Sequence, residues 1–395
     1  MGDALGYLRD ELAELDRGGL LLHPRTLDAG TGARASFDGR SVVNLASNNY
    51  LGLANHPRMN RAAADAAERL GAGSGAVRTI AGQMRIHLEL EERFAAFKRA
   101  ESALMFQSGF TANAGTVAAI LRPDDVIVSD RLNHASIIDG ARLSKAEIKV
   151  FEHRDPTDAE RLLVETARPG RRQLLITDGV FSMDGDIAPL GDLVEVAERR
   201  DAIMMVDDAH ASGVLGAGGA GTVDHFGVHG RVDVQVGTLS KAFGVLGGFI
   251  AGPPHLTRWL QNRGRPYLFS TSAPPAVAAA CIEALNILRD EPERLARLWE
   301  NTATLKAGLH DLGFDTGASE TPITPVITGD ESATQAFARR LFDEGVFCPA
   351  IVYPTVAKGK ARVRTIVTAD HTAEDLAEAL EVFGRVGKEL PLLGS

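Results

Sequence analysis

Cysteine is nearly missing from this chain. Of 395 residues only Cys281 and Cys348 carry a thiol, and neither stands in the C-x-x-C or Cys/His spacing of a redox motif or metal site. That scarcity suits a reducing compartment, and the apolar surroundings of both thiols mark them as core residues. A basic surplus is missing too. Asp and Glu number 52 against 42 Lys and Arg, a formal charge of −10 at pH 7, so the surface repels a phosphate backbone and nucleic acid drops out as a partner. No apolar run approaches the ~20 residues that a membrane-spanning helix needs. A secretory signal is not expected either, because Arg9, Asp10, Glu11, Glu14 and Asp16 break up the start of the chain. Cytoplasm is the expected location.

What is present is an ordinary globular composition, 45% hydrophobic, over a length that predicts two or three domains of ~100–200 residues each. Asp3 is placed to cap a first helix whose Leu5, Leu8, Leu12 and Leu15 form one apolar stripe. We take residues 1–56 as an N-terminal arm. From 57 onward, helical periods alternate with short apolar runs bounded by glycine, the order expected of an α/β fold with a parallel sheet. Helix 84–99 carries Ile86, Leu90, Phe94 and Phe97 on one face. Seven runs read as buried strands: 103–106, 126–129, 148–151, 173–177, 202–206, 232–236 and 247–251. They imply a mostly parallel seven-stranded central sheet in a large domain over 57–288. The acidic, proline-bearing stretch 289–293 marks a boundary. Beyond it, helix 293–312, strand 323–328, helix 331–344, strand 361–367 and helix 373–388 form a smaller α+β domain over 289–395.

Gly216, Gly218 and Gly221 fit G-x-G-x-x-G, and residues 71–76 fit its looser form. A dinucleotide fingerprint must begin directly after a strand and open a helix, and Gly216 lies well past strand 202–206. We therefore read it as a flexible surface loop. A stronger signal is a series of polar residues just beyond successive strand ends, where open α/β sheets bind ligands. Ser108-Gly109, Asn133-His134, Ser182, Asp207 with His210, and Thr238-Leu239-Ser240-Lys241 all fall there.

Their chemistry suits pyridoxal 5′-phosphate (PLP). A desolvated Lys241 can form an imine with an aldehyde. Asp207 can keep a pyridine nitrogen protonated. Gly109-Phe110, opening a helix, offers N–H groups to a phosphate, with Thr238 and Ser240 as hydroxyl donors. His134 supplies a ring that can stack on a flat cofactor. Taken singly, each residue has a bland alternative, and Asp207-Asp208-Ala209-His210 could equally ligate a divalent metal. Their order and shared placement favour the cofactor.

At these positions the chain resembles the α-oxoamine synthase family of fold-type I PLP-dependent transferases along nearly its whole length. The matching stretches are Asn48-Asn49-Tyr50-Leu51-Gly52-Leu53, Asn133-His134-Ala135-Ser136, residues 177–185, Val206-Asp207-Asp208-Ala209-His210 and Thr238-Leu239-Ser240-Lys241. The resemblance implies an acyltransferase that condenses an amino acid with an acyl-CoA thioester and works as a homodimer with active sites at the subunit interface. It implies Lys241, His134 and Asp207 as catalytic residues. Ser182 and His210 become contacts to the cofactor's phenolic oxygen. Ser108, Gly109, Phe110 and Thr238 become the phosphate cradle, with Ser270, Thr271 and Ser272 contributed by the neighbouring subunit. Arg364 and Asn49 are implied to bind the amino-acid carboxylate, although Arg362 shares a strand face with Arg364 by two-residue periodicity.

Within the family, residues 353–362 and 265–270 look most like members that join glycine to acetyl-CoA in threonine catabolism, the glycine C-acetyltransferases. The second reading is 8-amino-7-oxononanoate synthase of biotin synthesis, which uses alanine and a pimeloyl thioester with loss of CO₂, or an enzyme that carries out both reactions. No charged pocket for a long dicarboxylic chain is evident in the sequence. A PLP aminotransferase on the same fold is the more distant alternative.

Overall fold

Branched and aromatic residues with turn-formers at both ends make short strands, and in the computed structural model, which describes residues 3–390 and Leu392, all seven runs pair into one sheet. In space the order is Ser102–Phe106, Gly248–Gly252, Val234–Thr238, Ile203–Asp207, Gln173–Asp178, Val126–Asp130 and Glu147–Phe151. Only Gly248–Gly252 runs against its neighbours. The interior strands are buried along almost their whole length, which is why they read as continuous apolar runs rather than alternating ones. Helices cover both faces. One layer centres on Phe94, whose ring packs 5.2 Å from Phe243 and 4.6 Å from Phe249.

After the helix Pro275–Asp290 come Glu293–Asp311, Glu331–Asp343 and Ala373–Glu389, which back a three-stranded sheet of Ile323–Gly329, Ala361–Ile366 and Ala350–Ile351. Phe314, Phe337 and Phe383 meet ring to ring at 5.6–5.9 Å beneath it. Residues 34–44, read in sequence as part of an arm, form the hairpin Arg34–Phe37 and Arg40–Asn44, whose second strand pairs in parallel with Val346–Phe347. Asp38 and Gly39 turn it with φ of 51° and 75°, the two left-handed residues of a tight hairpin turn. The first helix runs Tyr7–Arg17 and buries none of its side chains. Asp3 caps the turn before it, accepting from Leu5 N at 3.2 Å. Among the described residues no helix is long and apolar enough to cross a membrane.

The loop carrying Gly216, Gly218 and Gly221 corrects the sequence reading of a flexible surface segment. Its second half is buried because it closes over an ion pair, Lys98–Asp208, that is wholly removed from solvent. Lys98 Nζ donates to Asp208 Oδ2 at 2.7 Å and to the Ala220 carbonyl at 2.5 Å. At Gly221 φ is 105°, and a Cβ there would stand 2.1 Å from Asp208 Oδ2 and 2.4 Å from Lys98 Nζ. Glycine is required for the chain to pass over the charges.

Candidate active site

The parallel strands all end on one side of the sheet, and the loops that leave them close a cavity of about 260 Å³. Ser108, Gly109, Phe110, His134, Ser182, Asp207, His210, Thr238 and Lys241 line it. So do Ser136, Asp178, Val180, Ala209 and Ser240, of which only Ser240 had been given a role from sequence.

Lys241 follows the strand Val234–Thr238. Burial pushes its amine down, against the opposing pull of Asp207 and Asp178, to about 8, so near neutral pH a useful fraction is uncharged. Asp207 ends the adjacent strand and is nearly buried. Its Oδ1 accepts from Ala209 N at 2.8 Å and its Oδ2 from Asn113 Nδ2 at 2.6 Å. Asp178, one strand over, is driven well above the usual carboxylate range by burial and by the charge of Asp207. It takes the His134 N–H at 3.0 Å.

Desolvation lowers the proton affinity of both histidines, partly exposed His134 below its ordinary value and buried His210 well below it. Tyr50 explains the orientation of His210: its hydroxyl lies 2.7 Å from Nδ1, and burial raises the phenol so that it keeps its proton. Tyr50 therefore donates, Nδ1 accepts, and the ring presents Nε2–H. That is the donor a phenolic oxygen requires.

Ser108 caps the helix Gly109–Ile120 in a reciprocal box with Thr111, the Ser108 hydroxyl accepting from Thr111 N at 3.1 Å and Thr111 Oγ1 accepting from Ser108 N at 3.0 Å. The cap leaves the first-turn N–H groups of Gly109 and Phe110 for an anion. A Cβ on Gly109 would come within 3.1 Å of Thr238 Cβ, so the cradle is as tight as the two elements allow.

The structure separates the two arginines of strand Ala361–Ile366. Arg362 is committed to Asp184 Oδ1 and to the Met183 carbonyl. Arg364 donates to the Ser182 carbonyl and to Asn48 Oδ1, both at 3.1 Å, while its Nε is buried with no partner among the described residues. A buried guanidinium with a spare donor has the chemistry to receive a carboxylate. Asn48 touches Arg364. Asn49, named from the resemblance, accepts from Ala54 N at 3.1 Å through Oδ1. Ser270, Thr271 and Ser272 do not line this chain's own cavity; Ser272 is buried and donates to the Gly82 carbonyl at 2.7 Å. Asp208 turns away to Lys98, and among the described residues no group of His, Cys, Asp and Glu side chains is disposed to hold a metal.

These residues fit PLP: a lysine of lowered proton affinity, a carboxylate on the strand-end floor, two imidazoles of lowered proton affinity, and a helix start with free N–H groups facing hydroxyls. Such a site on such a sheet defines a fold-type I PLP-dependent transferase. The family model for class I and II aminotransferases matches residues 40–383. 8-Amino-7-oxononanoate synthase of Symbiobacterium thermophilum is 58% identical over 387 residues, 98% of this chain and 99% of that one. 8-Amino-7-oxononanoate synthase 1 of Bacillus subtilis is 54% identical over 387 residues, 98% of each. Serine palmitoyltransferase from S. paucimobilis, solved with a bound PLP–myriocin aldimine, superposes with a TM-score of 0.93 at 28% identity, over 99% of this chain and 100% of that one. The chain belongs to the class I and II aminotransferase family and, within it, to the α-oxoamine synthases.

Proposed function

We propose that this chain is an 8-amino-7-oxononanoate synthase, joining alanine to a pimeloyl thioester with release of CO₂ and the free thiol. The observation that carries the reading is the identity of 54–58% with proteins of that name over 98% of this chain. The relatives thus favour the second of the two reactions read from the sequence over condensation of glycine with acetyl-CoA. The product's name supplies the substrates. A nine-carbon acid with its oxo group at the seventh carbon and its amine at the eighth divides into a seven-carbon dicarboxylic acyl group and the two carbons that alanine keeps after losing CO₂.

PLP, when bound, supplies an electron sink for charge that develops at the amino acid's α-carbon. The protein's own groups do the rest. Arg364 clamps the amino-acid carboxylate, and Lys241 with a proton affinity near 8 can take and return the α-proton. A trench of about 830 Å³ supports a longer acyl chain. Leu20, Leu22, Phe342, Phe347 and Val352 line it together with Arg25 and Arg339, and its wall residue Pro349 accepts the Arg364 backbone N–H at 3.1 Å. Its parts come from residues 15–25 and 335–355, too far apart in the chain to read as one pocket. The working unit in this proposal is a homodimer.

The test is the ratio of specificity constants for alanine with pimeloyl-CoA over glycine with acetyl-CoA in one buffer, with Lys241→Ala as the inactive control. A ratio well above one is expected. A ratio below one would return the chain to the glycine reaction. Full turnover by Lys241→Ala would remove that residue from its role.

A further inference from the structure

Asp207 and His134, which line the same cavity, are joined through two side chains to which neither the sequence nor the mechanism gives a role. Asn113, on the helix Gly109–Ile120, is completely buried, and Ser136, the second residue of the helix Ala135–Ser144, is nearly so. Asn113 Nδ2 lies 2.6 Å from Asp207 Oδ2 and 3.0 Å from Ser136 Oγ. Ser136 Oγ lies 2.7 Å from His134 Nδ1.

Donor and acceptor counting gives this chain a direction. A carboxylate oxygen only accepts, so Asp207 must receive a proton from the amide nitrogen of Asn113. The second amide proton then goes to Ser136 Oγ, which accepts it. The serine hydroxyl has one proton of its own, and the neighbour left for it is His134 Nδ1. That nitrogen also receives the Ser136 backbone N–H at 3.2 Å, so it is an acceptor twice over and the imidazole carries its proton on Nε2. Desolvation lowers the ring's proton affinity in the same sense. The cost of the arrangement is visible at Asn113 Oδ1, which is buried with no partner among the described residues; the amide tolerates an unpaired carbonyl in order to spend both N–H groups on Asp207 and Ser136.

We infer that Asn113 and Ser136 are positioning residues that transmit the charge of Asp207 to His134 and fix its proton on Nε2. The inference rests on the reading of Asp207 and His134 as residues of the active site, and it deepens that reading by giving the tautomer of the stacking ring a cause. It also makes a prediction that simple packing does not. Asp207→Asn keeps the shape but turns the acceptor into a potential donor, which lets the Asn113 amide rotate and present Oδ1 to both neighbours. Ser136 then donates back to Asn113 and accepts from His134, so the Nδ1–H form gains population.

The experiment is ¹⁵N spectroscopy of the histidine-labelled full chain, measured with and without cofactor, with the His134 signals assigned by their loss in His134→Gln. The wild type should show an unprotonated Nδ1 and a protonated Nε2. Asp207→Asn should move both signals toward the opposite tautomer. In a Ser136→Ala background the same Asp207 substitution should move them much less, and Ser136→Thr, which keeps the hydroxyl, should restore the response. If Asp207→Asn fails to fold, Asn113→Leu breaks the same chain and should shift the signals toward a mixture. Signals that do not move in Asp207→Asn, or that move equally with and without the Ser136 hydroxyl, would overturn the inference. Because the tautomer is read without substrate or turnover, this result is independent of which acyl thioester the protein uses.

Discussion

Two arginines two residues apart differ in what each side chain already holds. Arg362 is bound to Asp184 and the Met183 carbonyl, whereas Arg364 keeps a buried Nε without a partner. Arg364→Lys should therefore raise the Michaelis constant for the amino acid about ten- to a hundredfold, the equivalent of the roughly 1.5–3 kcal/mol carried by a hydrogen bond to a charged group, with little change for the thioester. Arg362→Lys keeps a cation beside Asp184 and should change that constant far less; steady-state kinetics on both variants decide. Lys98 belongs to the same scale. Its ammonium and the carboxylate of Asp208, the residue next to Asp207, are fully buried. Removing one member of such a pair leaves the other unpaired in the interior and costs about 3–5 kcal/mol. Urea unfolding should show Lys98→Met strongly destabilised and the double variant Lys98→Met/Asp208→Leu partly recovered, since the double change leaves no orphan charge.

His153 works between elements. It follows the strand Glu147–Phe151 and reaches Asp130 Oδ1 at the end of Val126–Asp130 through Nδ1 at 2.9 Å, and Asp186 Oδ2 beyond Gln173–Asp178 through Nε2 at 2.8 Å. Burial works against its charge, yet the two carboxylates outweigh it and lift the imidazole to about 9. A folded-state value above the ordinary 6.5 means the folded protein binds the proton more tightly, so the stabilisation is fully present below about 6.5 and is lost as pH rises through about 9. His153→Asn should lower the unfolding free energy by about 1–3 kcal/mol at pH 6, and the gap to wild type should close toward pH 10. A gap independent of pH would mean that packing rather than charge makes the contact. Nothing in the sequence marks this clamp, because its members stand 23 and 33 residues apart on three different elements. The central sheet was legible because its strands are buried on both faces and leave unbroken apolar runs. That Lys241, Asp207 and His134 would meet in one cavity was legible because strand ends are where such a sheet gathers its polar side chains. Asn113 was not, since a lone Asn inside an apolar helix announces only its burial. Nor was the hairpin at Arg34–Phe37 and Arg40–Asn44, although Asp38-Gly39 carried its turn signal; four- and five-residue strands show too little alternation to stand out.

At the scale of the whole molecule, apolar side chains are exposed where a single chain has no reason to expose them. Ile80 is 84%, Phe269 70%, Leu246 61% and Phe110 46% accessible, and Phe110 lines the rim of the active-site cavity. Phe269 immediately precedes Ser270, Thr271 and Ser272, the residues that the family resemblance assigns to the neighbouring active site. The proposed homodimer gives these side chains a partner, and twofold symmetry counts each of them twice. Burying a phenylalanine contributes about 1.5–3 kcal/mol, so Phe269→Glu should cost about 3–6 kcal/mol per dimer, a weakening of roughly a hundred- to ten-thousandfold in the dissociation constant. The native protein should sediment at twice 42.0 kDa at micromolar concentration. Phe269→Glu should shift toward the single-chain mass on dilution and lose bound cofactor in step, because in the proposed dimer the partner completes the rim. A native chain that sediments at the single-chain mass while retaining its cofactor and turnover would rule out the dimer as the working unit and leave these apolar residues to another partner.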